Sequence, residues 1–246
     1  MLMSTEQGGP EKSGFLPVFS KWTNLAPAVF FLVIGPVATV LAVFVVWFYF
    51  SPWNTDVGYM PEQPLPYSHA LHAGELKIDC RYCHTGVERY AKAGIPPTQT
   101  CMNCHRAIKT DSPKLALVRE SCIKGYEKGD SMTRDCDADG APVPWVRVHK
   151  IADYAYFDHS AHYQAGVGCE SCHGRIDQQV EVYQSKPLSM GWCMDCHNNP
   201  TPHLRPKEMV TFMGYEEQMA KSSATPYGET VEGKVNPPIH CGGCHR

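Results

Sequence analysis

Five short motifs in the sequence carry two cysteines and a histidine in the same order, Cys-x-x-Cys-His. They contain ten of the twelve cysteines and begin at Cys80, Cys101, Cys169, Cys193 and Cys241. Two thiols at this spacing can add to the two vinyl groups of one porphyrin, while the adjacent histidine binds the iron. Each motif therefore predicts one covalently attached haem, and we expect the chain to carry five haem c groups.

The motif residues divide into cysteines that form thioethers and histidines that bind iron from the proximal side. The predicted thioether cysteines are Cys80, Cys83, Cys101, Cys104, Cys169, Cys172, Cys193, Cys196, Cys241 and Cys244. The predicted proximal ligands are His84, His105, His173, His197 and His245. Each cysteine pair could instead form half of a structural zinc site, but such a site does not require the following histidine. Its presence in all five motifs favours haem.

Each haem iron has a second axial position, and seven further histidines are available to fill it. Two HxxH pairs precede motifs, and the i, i+3 spacing puts both imidazoles on one helix face. The candidate distal ligands are His69, His72, His149, His159, His162 and Met190, followed by His203 and His240. Ordinary packing is the alternative role for Met190, and a role without metal is the alternative for His203 and His240. With enough ligands to close every iron, the motifs predict electron transfer rather than an open catalytic iron.

The haem-binding region contains an internal repeat. Residues 67–105 and 157–197 each hold one HxxH pair and two motifs, at an offset of about 90 residues, and the fifth site, 241–245, lies outside the repeat. So few residues per haem cannot build a core of polypeptide alone. The sequence therefore predicts a multihaem cytochrome c fold of mostly short α-helices and loops wrapped around five haems.

A long apolar segment precedes the motifs. Residues 25–50 form a near-continuous apolar run, and no charged residue occurs between Trp22 and Thr55. As a helix these residues would be about 39 Å long, enough to cross a hydrocarbon layer of about 30 Å. A cleaved signal is the alternative, but its apolar core is normally shorter. We expect an uncleaved transmembrane anchor with a kink at Gly35-Pro36.

Charge predicts the orientation of the anchor. Lys12 and Lys21 precede the helix, whereas no Lys or Arg occurs between Ser51 and Leu76. We therefore expect residues 1–24 in the cytoplasm and residues 51–246 on the periplasmic side of a bacterial inner membrane. The formal net charge of -3 shows no basic footprint for nucleic acid.

Two cysteines, Cys122 and Cys136, belong to no motif. An oxidising compartment outside the cytoplasm suits both haem attachment and disulfides. We expect a disulfide between them that closes a polar loop, with two free thiols as the alternative.

The HxxH pair followed by a motif resembles class III multihaem cytochromes. In those proteins the first histidine of the pair binds the following haem and the second reaches another haem. The resemblance implies that His69 pairs with His84 and that His159 pairs with His173. It also implies that His72 and His162 serve haems elsewhere in the array.

A closer resemblance rests on three stretches, GYMPEQPLPYSHALHAGELKIDCRYCH, PVPWVRVHKIADYAYFDHSAH and LSMGWCMDCHNNPTPHLRP. With the anchor and five motifs, they resemble the pentahaem cytochrome c subunit of bacterial alternative complex III over most of residues 25–246. The resemblance implies an electron-transfer subunit of a quinol-oxidising complex. The implied partners are an iron-sulfur subunit related to molybdopterin oxidoreductases and quinol-binding integral membrane subunits. The implied acceptor is a monohaem cytochrome c, a soluble carrier or a terminal oxidase.

Two other functions compete with this interpretation. A stand-alone, membrane-anchored multihaem quinol dehydrogenase could feed periplasmic reductases, although the 29 residues between Phe50 and Cys80 allow the first haem to lie away from the membrane. A catalytic multihaem reductase for nitrite or a sulfur oxyanion would keep one iron open. The five complete motifs and the spare histidines count against that reductase.

Overall fold

The computed structural model describes residues 20–51, 55–122, 141–231 and 233–245. The chain divides into two compact units, Met1–Asn54 and Thr55–Arg246. The described residues contain many short helices and no β-strand, only two isolated β-bridges, Ala155 with His245 and Val167 with Leu204. The predicted helix-and-loop fold is confirmed in this respect.

The described part of the first unit is one apolar helix, Trp22–Phe50. It starts with a tight turn, Lys21–Leu25, and contains a widened turn, Phe30–Ile34, before the regular helix Gly35–Phe50. The widened turn lies directly before Pro36, whose ring and missing N–H are incompatible with a regular turn at this point. Its apolar side chains are exposed throughout. Length and composition fit a membrane anchor and equally an N-terminal signal sequence.

The second unit consists of short helices that alternate with turns and loops. The α-helices are Cys80–Cys83, Thr98–His105, Ala116–Glu120, His159–Ala165, Cys169–His173, Met190–Asn198, Tyr215–Ala220, Tyr227–Thr230 and Cys241–Cys244. A wide π-type turn covers Ala70–Glu75. Tight 3₁₀ turns cover Pro113–Leu115, Ile176–Gln178, Thr201–His203 and Lys207–Met209. All five cysteine pairs lie on helices, so one helical turn sets the spacing of each pair.

Side-chain caps mark the start of two motif helices and of the helix that carries the second HxxH pair. Asp79 accepts a hydrogen bond from the backbone N–H of Arg81 at 2.8 Å, and Ser189 accepts one from Trp192. Asp158 does the same for Ser160 at 2.8 Å, at the start of the helix that carries the second HxxH pair. Such caps satisfy N–H groups that have no partner within the helix. At these three helices, the capping residue therefore helps to place the chemistry-bearing residues that follow.

The buried apolar core of the second unit is small. Among the described residues, the buried hydrophobic side chains are Leu65, Met102, Val118, Cys122, Val148, Tyr163, Leu204 and Val210. Leu65, Met102, Val118 and Cys122 form one cluster around the second motif helix. The stabilisation that apolar packing provides grows with the apolar area that is buried. The polypeptide therefore relies on other contacts to hold its motifs in place.

A buried ion pair supplies one of those contacts. The side chains of Arg205 and Glu170 are 1% and 4% exposed and lie 3.1 Å apart. Glu170, inside the third motif, also accepts hydrogen bonds from the N–H groups of Gly214 and Glu216. Arg205 lies over the ring of Tyr215, at 4.6 Å from its centre. The third motif is thereby joined to the segment that follows the fourth.

We expect Arg205→Leu to destabilise the protein by about 3 kcal/mol, because it leaves the Glu170 carboxylate buried without its partner. Thermal unfolding of the detergent-solubilised holoprotein measures the effect. Lys221→Ala is the matched control, since it removes the exposed Lys221–Glu217 pair and should leave the melting temperature unchanged. Equal melting temperatures for Arg205→Leu and the native protein would contradict the assigned role of the buried pair.

Candidate functional site

Backbone carbonyls hold four of the five motif histidines by the same ring nitrogen. Each Nδ1 atom lies 2.7 to 3.2 Å from a carbonyl oxygen. The pairs are His84 with Gly94, His105 with Ile108, His197 with Pro238, and His245 with Tyr154. A carbonyl oxygen accepts only, so Nδ1 carries the proton and Nε2 is left with a free lone pair. This is the arrangement by which proteins orient a metal-binding imidazole.

The HxxH histidines follow the same rule. Nδ1 of His72 lies 2.8 Å from the Ser68 carbonyl, and Nδ1 of His162 lies 2.7 Å from the Asp158 carbonyl, in each case four residues earlier. Nδ1 of His159 lies 2.8 Å from the carbonyl of Ala91. Nδ1 of His69 is buried and has no hydrogen-bond partner among the described residues. Three of these four rings therefore present Nε2 as the free nitrogen.

Three HxxH histidines lie at the distance from a motif histidine that one shared metal ion would require. The ring centres are 6.5 Å apart for His69 and His84, 6.3 Å for His72 and His105, and 6.1 Å for His162 and His197. Two imidazoles that bind one metal ion from opposite sides have ring centres roughly 6 Å apart, since each metal–nitrogen bond is about 2 Å long and the ring centre lies about 1 Å further. These pairs therefore fit the two axial positions of haem iron.

The third motif has a different environment. Nδ1 of His173 lies 3.3 Å from Nε2 of His149, and the two ring centres are 4.5 Å apart with their planes at 76°. This separation leaves no room for a metal ion between the rings. His159 lies close enough to influence the pKa of His173 as well. His149 therefore contacts the ring of His173, while His159, like His84 and His69, lies near enough to influence its pKa.

Burial keeps the imidazoles of His173 and His69 neutral. Burial, followed by the neighbouring His149, lowers the pKa of His173 to about 3. Burial, followed by His84, lowers the pKa of His69 to about 4. The neutral imidazole is the form that binds a metal ion, so both rings are in the binding form at neutral pH.

An aromatic residue packs against each HxxH pair, and the sequence interpretation missed both. The ring of Tyr67 contacts His69 edge-on at 4.9 Å and stacks on His72 at 4.5 Å. Phe157 makes the same contacts with His159 at 4.8 Å and with His162 at 4.4 Å. The signal was present in the sequence, since the two aromatic residues occupy equivalent positions two residues before each pair. Repeated geometry of this kind indicates that both rings position their histidines.

Contacts between motifs place them next to one another. Tyr82 in the first motif accepts a hydrogen bond from Asn103 in the second at 3.0 Å. The Cys80 thiol of the first motif lies within hydrogen-bond reach of Cys169 in the third. Burial, followed by Cys196 and Cys193 of the fourth motif, raises the pKa of the Cys172 thiol in the third to about 12.

The fifth motif adjoins the fourth. Burial, followed by Cys244 of the fifth motif, raises the pKa of the Cys193 thiol. His197 binds the carbonyl of Pro238, three residues before the fifth motif. The backbone N–H of Tyr156 donates to the Cys244 carbonyl at 2.6 Å. The contacts thus put the first motif beside the second and the third, the third beside the fourth, and the fourth beside the fifth.

The remaining candidate residues lie in varied surroundings. Met190 begins the helix Met190–Asn198 and is 66% exposed. His203 ends a tight turn, and its Nδ1 is buried and has no hydrogen-bond partner among the described residues. His240 is exposed and precedes the helix of the fifth motif. The structure does not bring any of these three side chains into ring contact with a motif histidine in the described ranges.

The motif cysteines differ from Cys122 in their bonding. All ten motif cysteines are free thiols, and the described residues contain no cluster of three or more His, Cys, Asp or Glu side chains that could hold a metal ion. Cys122 is buried and disulfide-bonded. Its predicted partner, Cys136, lies outside the described residues, so this pairing stays a prediction.

Comparison with known proteins agrees with the geometry. Residues 155–246 match the family described as cytochrome c7 and related cytochrome c. The chain is also similar to the multihaem cytochrome c subunit of menaquinone reductase from Nitratidesulfovibrio vulgaris. The identity is 24%, over 56% of this chain and 69% of that protein. Together with the five motifs and the paired imidazoles, these similarities support a multihaem cytochrome c that transfers electrons through covalently bound c-type haem.

Proposed function

We propose that this chain is the pentahaem electron-transfer subunit of a quinol-oxidising membrane complex of the alternative complex III type. The observation that carries the proposal is the continuous row of five motifs, in which each motif lies beside the next. The similarity to a cytochrome subunit of a menaquinone reductase supports a place in a membrane redox complex. The apolar helix Trp22–Phe50 supports a membrane anchor, with the haem domain on the periplasmic side.

The ten motif cysteines would hold five haems through thioether bonds, with the five motif histidines as proximal ligands. When bound, each haem iron takes up and releases one electron by cycling between Fe(III) and Fe(II). On the distal side, His69 would serve the first motif, His72 the second and His162 the fourth, since each faces the corresponding motif histidine. His159 would serve the third motif, in agreement with the repeat. His203, His240 and Met190 are the candidates for the fifth.

The ends of the row are its exposed positions. Cys104 in the second motif and Cys241 in the fifth are exposed, whereas the cysteines of the first, third and fourth motifs are partly buried. Electrons enter and leave a haem protein where a haem edge approaches the surface, and the docking surfaces for redox partners can be small. We therefore assign the electron donor and acceptor to the second and fifth motifs. The donor would be an iron-sulfur subunit, and the acceptor a monohaem cytochrome c or a terminal oxidase.

The direction of electron flow has a second candidate. The similar protein of Nitratidesulfovibrio vulgaris is a subunit of a menaquinone reductase, so electrons could run toward the quinone instead. The same residues serve either direction, because a row of haems conducts both ways. Rapid-mixing experiments on the intact complex distinguish the two directions of electron flow. The partner that reduces the haems is the donor, and the partner that then oxidises them is the acceptor.

The first expected result is a stoichiometry of five haems per chain, because each thioether pair survives denaturation. The pyridine haemochrome assay and the mass of the denatured protein measure it. The double variant Cys241→Ala, Cys244→Ala should retain four haems. A native value of four or fewer would remove at least one of the five assignments.

The second expected result concerns the ring planes. His69 and His84 are parallel within 2°, whereas His72 and His105 meet at 66°. Parallel and crossed imidazoles give different low-spin ferric EPR signals, so the oxidised protein should show both types.

The matched variants are Tyr67→Leu and Tyr67→Phe. Tyr67→Leu removes the ring that stacks on His72, so the crossed-plane signal should change. Tyr67→Phe keeps the ring and should leave that signal as it is. Identical spectra for the two variants would contradict the positioning role of Tyr67.

The third expected result is that the isolated subunit does not oxidise quinol. The helix Trp22–Phe50 carries no ionisable side chain other than that of Tyr49, so it offers no carboxylate or histidine at membrane depth for quinol protons. The test reconstitutes the subunit in liposomes with excess menaquinol and follows haem reduction by absorbance. The complex purified in mild detergent is the positive control. Fast, inhibitor-sensitive reduction of the isolated subunit would favour the stand-alone quinol dehydrogenase.

A further inference from the structure

We propose that His149 is a positioning residue that accepts a hydrogen bond from the proximal histidine of the third haem, His173, and that it is not an axial ligand. The inference rests on the proposed function in one respect, namely that His173 binds haem iron. It assigns to His149 a role that the spacing of histidines in the sequence does not predict. The third haem would then differ from the other four in the partner of its proximal imidazole.

The geometry separates the two roles. An axial ligand on the opposite side of the iron must face Nε2 of His173, with ring centres roughly 6 Å apart. His149 instead places its Nε2 at 3.3 Å from Nδ1 of His173, and the ring centres are only 4.5 Å apart. Nδ1 is the nitrogen that does not bind the iron. His149 therefore lies behind the proximal ligand rather than across the haem from it.

The hydrogen bond has a defined direction. Once Nε2 of His173 binds iron, Nδ1 must carry the ring proton and can only donate. The acceptor is then the lone pair of Nε2 on a neutral His149, whose own proton lies on Nδ1. At the other four motifs, a backbone carbonyl is the acceptor. An imidazole nitrogen is a stronger base than an amide oxygen, so it makes His173 a more electron-donating ligand.

The segment that carries His149 is held rigidly. Gln63 forms two hydrogen bonds of 3.0 Å with the backbone of Val146, one to the carbonyl and one from the N–H. Val148 is buried, and the side chain of Arg147 donates to the carbonyl of His149 at 3.0 Å. These contacts join residues 146–149 to the chain ahead of the first HxxH pair. They fix the position from which Nε2 of His149 reaches His173.

His159 remains as the distal ligand of the third haem. It occupies the same place in the second repeat as His69 does in the first, and its Nδ1 is already bound to the carbonyl of Ala91. Its Nε2 is therefore free for iron. Two histidines beside the third motif thus have two distinct functions, His159 in ligating the iron and His149 in orienting the proximal ring.

The test compares His149→Leu, His149→Gln and His159→Leu in the full-length holoprotein. Haem count, electronic spectra, carbon monoxide binding and a redox titration are measured for each. We expect His149→Leu to keep five low-spin haems, to bind no more carbon monoxide than the native protein, and to raise the reduction potential of one haem. His149→Gln supplies a carbonyl acceptor and should bring the reduction potential of that haem most of the way back to its native value. His159→Leu should make the same haem high-spin and open to carbon monoxide.

Two outcomes overturn the proposal. A high-spin haem in His149→Leu would show that His149 is an axial ligand, and five unchanged potentials would show that the hydrogen bond has no effect on the haem. If His149→Leu does not fold, Gln63→Ala tests the same contact without changing either histidine. It removes the two hydrogen bonds to Val146 and so loosens the segment 146–149. It should raise the same potential by a smaller amount, and an unchanged potential would count against the proposal. A native haem count below five would instead contradict the proposed function.

Discussion

The hydrogen bond from a histidine Nδ1 to a backbone carbonyl is the interaction on which the site depends. It determines which ring nitrogen is free and where that nitrogen points. The position of each imidazole therefore depends on the position of the peptide group that accepts its hydrogen bond. The carbonyls that hold His84 and His197 belong to Gly94 and Pro238, both in loops. Loop carbonyls are available because they have no partner within a helix. A fold of short helices and long connections thus follows from the need to orient many rings.

Sequence spacing predicted those features that depend on local geometry. The i, i+3 spacing of His69 and His72 puts both rings on one side of a helical turn, and their ring centres lie 6.5 Å from His84 and 6.3 Å from His105. Spacing could not predict the place of His149, because that place depends on Gln63, a residue far away in the sequence. The contribution of Tyr67 was also missed, although the repeat contained it, since an aromatic residue near a ligand has no signature of its own.

Polar contacts keep the motifs in register where apolar packing is sparse. The ion pair of Arg205 with Glu170 acts inside the third motif itself, and the hydrogen bond of Asn103 to Tyr82 joins two motifs directly. A buried ion pair adds little net stability relative to apolar side chains, but it has strict geometric requirements. Its value here lies in fixing the position of the third motif, the middle member of the row. The spacing between neighbouring motifs depends on such contacts more than on a hydrophobic core.

The environment of the third motif has a consequence for the whole row. A more basic proximal ligand favours ferric iron, so the third haem would have a lower potential than its neighbours if their distal ligands are alike. Electron transfer to a haem of lower reduction potential in the middle of the row would be thermodynamically unfavourable from either neighbour. Short distances between neighbouring haems would still allow electrons to pass the third haem. His149 would therefore influence how electrons are distributed between the two halves of the row, while the potentials at its ends determine the net direction.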